Sequence, residues 1–261
     1  MTHQREQRLI FDETAHLYDQ FRPEYPPQVA QDLLTMAKLK SGNRILEIGC
    51  GTGKATVCFA PYGFPLVALE PGKEMAEFAR HNCATYPNVE IQEAFFEDWP
   101  LEAESFHLIY SAMALHWVDP EIAFTKSADA LIPGGMLAVL TNRAERGDTE
   151  LDRAIQRAYE QVKDVKPFKA HPKTINHGRG GIVERFNDSD RFSTVFNAQY
   201  QHSRTFRADE YIQLMETMSD HRMMPADRRE WLYGQIRTAI ERFGGVIDLT
   251  YKVNLYFARR G

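Results

Sequence analysis

The sequence predicts an α/β protein: a mostly parallel sheet with helices on both faces, an antiparallel strand pair at its end, and a helical cap. Three observations predict it. Short apolar β-rich runs alternate with helical segments between Ser41 and Asn142, the rhythm of βαβ units. A glycine-rich run closes the first of these strands. Two segments near the carboxyl end, Ser193–Phe206 and Val246–Ala258, regain β character with helices between them.

Residues 1–40 read as two helices split by Arg22-Pro23-Glu24-Tyr25-Pro26-Pro27. Pro26 or Pro27 can open the second, where Val29, Leu33, Leu34 and Ala37 recur at helical spacing. Ile45–Ile48 is the first strand, Lys54–Ala60 a short helix stopped by Pro61, and Pro65–Glu70 the second strand. A helix over Lys73–Cys83 follows, then strands at Val89–Ile91 and Phe106–Tyr110. A helix at Pro120–Ala130 leads through the turn Pro133-Gly134-Gly135 into a strand at Met136–Leu140. From Arg143 to about Ser193 the strand rhythm stops, with a helix at Glu150–Lys163 and a loop around Asn176–Gly181. Sheets of this kind bind ligands at the carboxyl ends of their strands, so the loops after Ile48, Leu69, Ile91 and Tyr110 are where chemistry belongs.

Composition narrows the classes. Hydrophobic residues at 43% and charged residues at 26% exclude a disordered, collagenous or coiled-coil chain. A formal net charge of −5 lacks the basic footprint of a duplex binder, so no nucleic-acid partner is expected. No run approaches the ~20 apolar residues of a membrane helix, and the amino terminus lacks a signal-peptide core, so a cytoplasmic protein with no membrane partner is expected. Cys50, Cys58 and Cys83 are too few for a disulfide framework, and Cys50 reads as a small filler. His171 and His177 lie in a polar stretch without partners at metal spacing, so no metal is expected. Arg222 and Arg228-Arg229 read as a solvated helix surface.

Glu47-Ile48-Gly49-Cys50-Gly51-Thr52-Gly53 is the most informative run. Alternate glycines after a strand let the backbone turn sharply and approach a ligand closely. A phosphate-binding loop fails, because Ile48 stands where its first glycine belongs and Ala55 follows Lys54. The dinucleotide fingerprint also fails, with Lys54 at its third glycine. What remains suits a nucleoside without a pyrophosphate, and Glu47 would sit better near an ammonium group than near phosphates.

Residues 45–53 resemble the first motif of class I S-adenosylmethionine-dependent methyltransferases, and further positions match at the family's offsets. The resemblance implies a Rossmann-like seven-stranded sheet and S-adenosylmethionine as the cofactor. Glu70, ending the second strand, matches the acid that takes the two ribose hydroxyls, and Met75 the residue packed on the adenine face. Glu97-Asp98-Trp99 resembles the segment reading the adenine amino group, with Asp98 favoured for that contact. Ser111 to Val118 looks like the loop after the fourth strand; it supplies Ser111 to the cofactor set and His116 as a candidate general base or hydrogen-bonded scaffold residue. Upstream, Ala15, Tyr18, Asp19, Arg22 and Tyr25-Pro26 resemble the helix that closes over the methionine end, where Arg22 would pair with a carboxylate. Met75 and Trp99 are also ordinary core residue types.

The resemblance is nearest to small-molecule methyltransferases of the trans-aconitate and biotin-pathway carboxyl type, and covers roughly residues 10–142. The Asn/Asp-Pro-Pro-Tyr/Phe motif of amide-nitrogen methyltransferases and the Pro-Cys nucleophile of cytosine C5 enzymes are both missing. The expected acceptor is therefore a small molecule, carboxylate or carrier-bound, taken by a monomer or homodimer. The expected division is a lid at 1–40, a cofactor-binding core at 41–142, a cap insertion at 143–192 and carboxyl-terminal strands with a helical insertion at 193–261. A nicotinamide-dependent oxidoreductase and a non-catalytic nucleoside-binding regulator are the alternatives.

Overall fold

The computed structural model describes residues 12–145, 147–162 and 181–261. In chain order its helices are α1 (Ala15–Phe21), α2 (Pro27–Met36), α3 (Thr56–Phe59), α4 (Lys73–Asn82), α5 (Pro120–Ala130), α6 (Glu150–Val162), α7 (Ile182–Asp188), α8 (Ala208–Glu216), α9 (Ser219–Arg222) and α10 (Ala226–Arg242). The strands are β1 (Ile45–Ile48), β2 (Leu66–Glu70), β3 (Val89–Glu93), β4 (Phe106–Ala112), β5 (Leu131–Ala144), β6 (Phe196–Arg207) and β7 (Val246–Arg259). They form one seven-stranded sheet in the order β3-β2-β1-β4-β5-β7-β6. The first five run parallel; β7 pairs antiparallel with both β5 and β6.

Every residue of β1 and β2 is buried, as a parallel strand covered on both faces requires. One face carries α2 and α3, where Val29, Leu33 and Phe59 meet Ile45, Ala68 and Tyr110. The other carries α5 and α7, where Phe124 and Phe186 pack on Ile109, Leu137 and Val139. A third apolar cluster joins α6, α8 and α10 to the far end of β7. Helix α6 shows why: Leu151, Ile155, Ala158, Tyr159 and Val162 recur along one stripe, and all are buried. Strand β7 alternates buried and exposed residues over most of its length, as an antiparallel strand with one solvated face does.

The observed elements follow the expected order, with three corrections. Strand β5 runs through Pro133-Gly134-Gly135, which is a kink inside it, and continues past Asn142 to Ala144, so Arg143 belongs to the sheet and not to the cap. The helix expected over Lys54–Ala60 shrinks to α3, followed by a 3-10 turn at Ala60–Tyr62; Pro61 opens that turn instead of ending the chain's curl. The arginines at 222 and 229 are half-buried and pair with Glu13 and Glu216, an ion-pair cluster where a solvated surface was expected, while Arg228 is exposed as expected. Asn176–Arg179, His171 and His177 lie outside the described residues. Among the described residues no helix is long and apolar enough to cross a membrane.

One of the ties between the amino-terminal segment and the carboxyl-terminal half is made by Arg204. Arg204 of β6 donates to the carbonyls of Gln20 (3.0 Å) and Phe21 (3.3 Å) at the end of α1 and stacks over Phe206. A cation on the last carbonyls of a helix satisfies acceptors that the helix leaves open. Arg204→Ala should therefore destabilise the protein by only about 1 kcal/mol while speeding protease cleavage between Ala15 and Pro26. Unchanged cleavage kinetics, read by fragment mass, would contradict the tie.

Candidate active site

The glycine run turns as soon as β1 ends. Gly49 has φ +72°, and a Cβ there would collide with the Cβ of Ala114, which the loop after β4 lays directly on it. Gly51 has φ +58° and lies beneath Met75 Cε and the Tyr18 ring. Both positions need left-handed backbone, and Gly49 also needs the missing side chain. The N–H groups of Gly49 and Cys50 both donate to the Leu69 carbonyl at 2.9 Å. Glu70 closes the arrangement: Oε2 accepts the Gly51 N–H at 2.8 Å and Oε1 the Gly72 N–H at 2.9 Å. One carboxylate thus holds the loops after β1 and β2 in register, and 8% of Glu70 stays exposed.

Glu47, two residues before Gly49, has a different environment. It is wholly buried, and its Oε2 accepts from Thr56 Oγ1 at 2.6 Å and from the Tyr110 hydroxyl at 2.8 Å. Burial pushes its pKa up to about 7 against the two hydrogen bonds, with the Glu70 charge adding a smaller push. The carboxyl lies beneath the loop and ties β1 to α3 and β4.

The amino-terminal segment covers this region. Asp12 Oδ1 accepts the Met75 N–H at 2.9 Å, and Asn82 Nδ2 bridges Asp19 Oδ1 (2.7 Å) and the Thr52 carbonyl (2.9 Å). Tyr18 is brought over Gly51, and burial raises its pKa. Arg22 stacks on the Tyr18 ring at 5.0 Å, but its Nε and Nη2 donate to Thr217 Oγ1 (2.8 Å) and the Thr217 carbonyl (2.7 Å). Its guanidinium is a tether to the carboxyl-terminal helices in this structure, not a group aimed at a ligand carboxylate.

Two further expected contacts fall in the core. Ser111 has no exposed surface, and its hydroxyl donates to the Ile48 carbonyl at 2.8 Å, fastening β4 to β1. Trp99 is 5% exposed, packs on Phe106, and donates its indole N–H to Gln92 Oε1 at 2.8 Å. Of the same segment, Asp98 is exposed and Glu97 half-buried, with Lys126 Nζ donating to the Glu97 carbonyl at 3.0 Å. The three thiols are unsuited to nucleophilic work, because burial pushes Cys58 up to about 11, Cys83 to about 12 and Cys50 well above its usual range.

His116 sits in a 3-10 turn, Leu115–Trp117, after β4, and lines a cavity of about 30 Å³ with Ala114, Thr141, Arg143, Ile182 and Arg185. The two arginines escaped the sequence reading. The signal was present for Arg143: Val139, Thr141 and Arg143 alternate on one face of a strand, which ending the core at Asn142 concealed.

Comparison with known proteins fits this geometry. Residues 46–139 match a family described as a methyltransferase domain. An uncharacterised methyltransferase of Geobacillus sp. is 30% identical over 161 residues, 58% of this chain and 74% of that protein. One from Mycobacterium tuberculosis is 35% identical over 163 residues, 61% of this chain; the match spans 64% of the length of that relative. Trans-aconitate 2-methyltransferase of Variovorax paradoxus is 29% identical over 151 residues, 56% of each chain. The solved geranyl diphosphate methyltransferase in complex with S-adenosylmethionine superposes with a TM-score of 0.50 at 16% identity, covering 90% of this chain and 85% of that one, a likeness of fold. The chain belongs to the methyltransferase family, with the Rossmann-like class I fold. The nicotinamide and non-catalytic alternatives gain no support from these matches.

The buried carboxyl carries a pH signature. Because the folded pKa of Glu47 lies above the ordinary 4.5, the folded state holds its proton more tightly than the unfolded chain does. Its stabilising contribution is full below pH 4.5 and is lost as pH rises to about 7. The loss is up to ~3 kcal/mol. Chemical unfolding of wild type and Glu47→Gln across that window should show wild type losing more stability than the variant. Parallel pH profiles would contradict this.

Proposed function

We propose that the protein transfers the methyl group of S-adenosylmethionine to a small-molecule acceptor. The observation that carries this reading is the Glu70 carboxylate bonded to the Gly51 N–H where β1 and β2 end side by side. The residues present fit the cofactor. A carboxylate has about four acceptor positions, so two backbone donors and a pair of ribose hydroxyls are compatible on Glu70. The left-handed backbone at Gly49 and Gly51 allows close approach without a side chain in the way. Bound there, S-adenosylmethionine would supply a methyl group already activated by the positive sulfur.

The chain's own part is binding, orientation and exclusion of water. Glu70 would fix the ribose, Met75 would pack against the adenine, and Asp98 would read its amino group. Gly49, Gly51 and Gly53 would line the nucleoside and methionine portions. Tyr18 and the segment 1–40 would act as the lid, with the core running from 41 to the end of β5 at Ala144, the stretch from there to 192 as a cap insertion and 193–261 completing the sheet. Orientation of this kind can contribute about 7–11 kcal/mol to a two-substrate reaction. His116, at the cavity beside the loop, would accept a proton where the acceptor must lose one. A net charge of −5 favours a small acceptor over a nucleic acid, and the relationship to a trans-aconitate methyltransferase favours a carboxylate-bearing one.

Glu70→Ala should weaken S-adenosylhomocysteine binding by ~2 kcal/mol, about 30-fold, with cooperative unfolding retained. Equilibrium dialysis against labelled ligand checks it, and unchanged affinity would overturn the assignment of Glu70.

A further inference from the structure

The largely apolar cavity at the carboxyl ends of β4 and β5, with Met113, Leu115, Phe124 and Leu140 in its wall, is also lined by two arginines that come from separate elements. Arg143 is the last inward-facing residue of β5, after Val139 and Thr141 on the same face. Arg185 lies one turn after Ile182 on the same face of α7 and is 9% exposed. His116 and Thr141 complete the polar lining, and Thr141 is 6% exposed. Burial draws the Arg143 pKa down, the mark of a cation removed from water.

Ala114 connects this cavity to the glycine loop. It presses on Gly49 on one side and lines the cavity on the other, so a group bound between the arginines would lie one side chain from the loop. At about 30 Å³ the cavity has room for about two waters, the size of a single small oxyanion group and not of a whole substrate. Planar guanidinium forks match the two oxygens of a carboxylate or the edge of a phosphate.

Resting on the methyl-transfer reading above, we propose that Arg143 and Arg185 anchor an oxyanion group of the acceptor, and that this group is not the one methylated. An oxygen whose lone pairs are committed to guanidinium N–H groups is a poor nucleophile, so the anchored group orients and a second atom reacts. The acceptor class is then bifunctional, with a carboxylate or phosphate at one end and the nucleophilic atom towards the loop. Arg143 and Arg185 set specificity for the anionic end, and His116 lines the same cavity.

The test uses the full chain saturated with S-adenosylhomocysteine and titrated with tricarballylate in one arm and glycerol 3-phosphate in the other. Saturable binding in one arm identifies the oxyanion. Arg143→Gln and Arg185→Gln should each weaken that arm about tenfold or more, while S-adenosylhomocysteine affinity stays within about twofold. Arg185→Lys keeps the charge and loses the fork, so it should fall between the two and serves where the glutamine variant does not fold. Equal probe binding by wild type and variants, or binding of neither probe at tens of millimolar, overturns the anchor. Wild type that fails to bind S-adenosylhomocysteine overturns the methyl-transfer reading instead.

Discussion

The structure depends on a close approach that only glycine permits. Gly49 takes a left-handed turn under Ala114, and the loop after β4 can settle on the loop after β1 because no side chain stands between them. Glu70 then holds the second turn, at Gly51, against the end of β2 through two backbone N–H groups. Three strand ends are thereby brought together at one surface. The carboxylate also gains by this: hydrogen bonds from backbone N–H groups to a charged acceptor are about twice as strong as neutral ones.

Two glutamates in this small region show how environment divides labour between identical side chains. Glu47 is sealed beneath the loop, its proton affinity raised by burial, and its bonds go to Thr56 and Tyr110 in the framework. Glu70 stays partly exposed and bonds only to the loop backbone among the contacts described above. Desolvation outweighs two hydrogen bonds at Glu47, a net shift worth ~3 kcal/mol against the charged form. The first carboxyl braces the framework, and the second holds the turns after β1 and β2. On the opposite side of Ala114, Arg143 and Arg185 line the neighbouring cavity.

Much of this was legible in the sequence because it rests on local rules. Strand-helix alternation, the prolines around residue 26 and the glycine spacing are read within a few residues of one another, and the sheet follows them. The family resemblance, carried by residues 45–53 and Glu70, agrees with the family match. What was not legible depends on tertiary partners. Nothing local says that Arg22 turns to Thr217, nearly two hundred residues away, or that Trp99 spends its N–H on Gln92. Ser111 and Glu47 sit at the right offsets but point into the framework, because the strand pairing that buries them is long-range. Arg143 was missed for a related reason: β5 is lengthened by pairing with β7, whose register becomes visible only in the assembled sheet.

The most direct measurement is a calorimetric titration of the purified, ligand-stripped protein with S-adenosylhomocysteine, run beside one with oxidised nicotinamide dinucleotide. One-site binding in the micromolar range, roughly 8 kcal/mol, for the first and none for the second is the predicted result. Silence at millimolar S-adenosylhomocysteine would show that the surface joined by Gly49, Gly51 and Glu70 serves a different ligand.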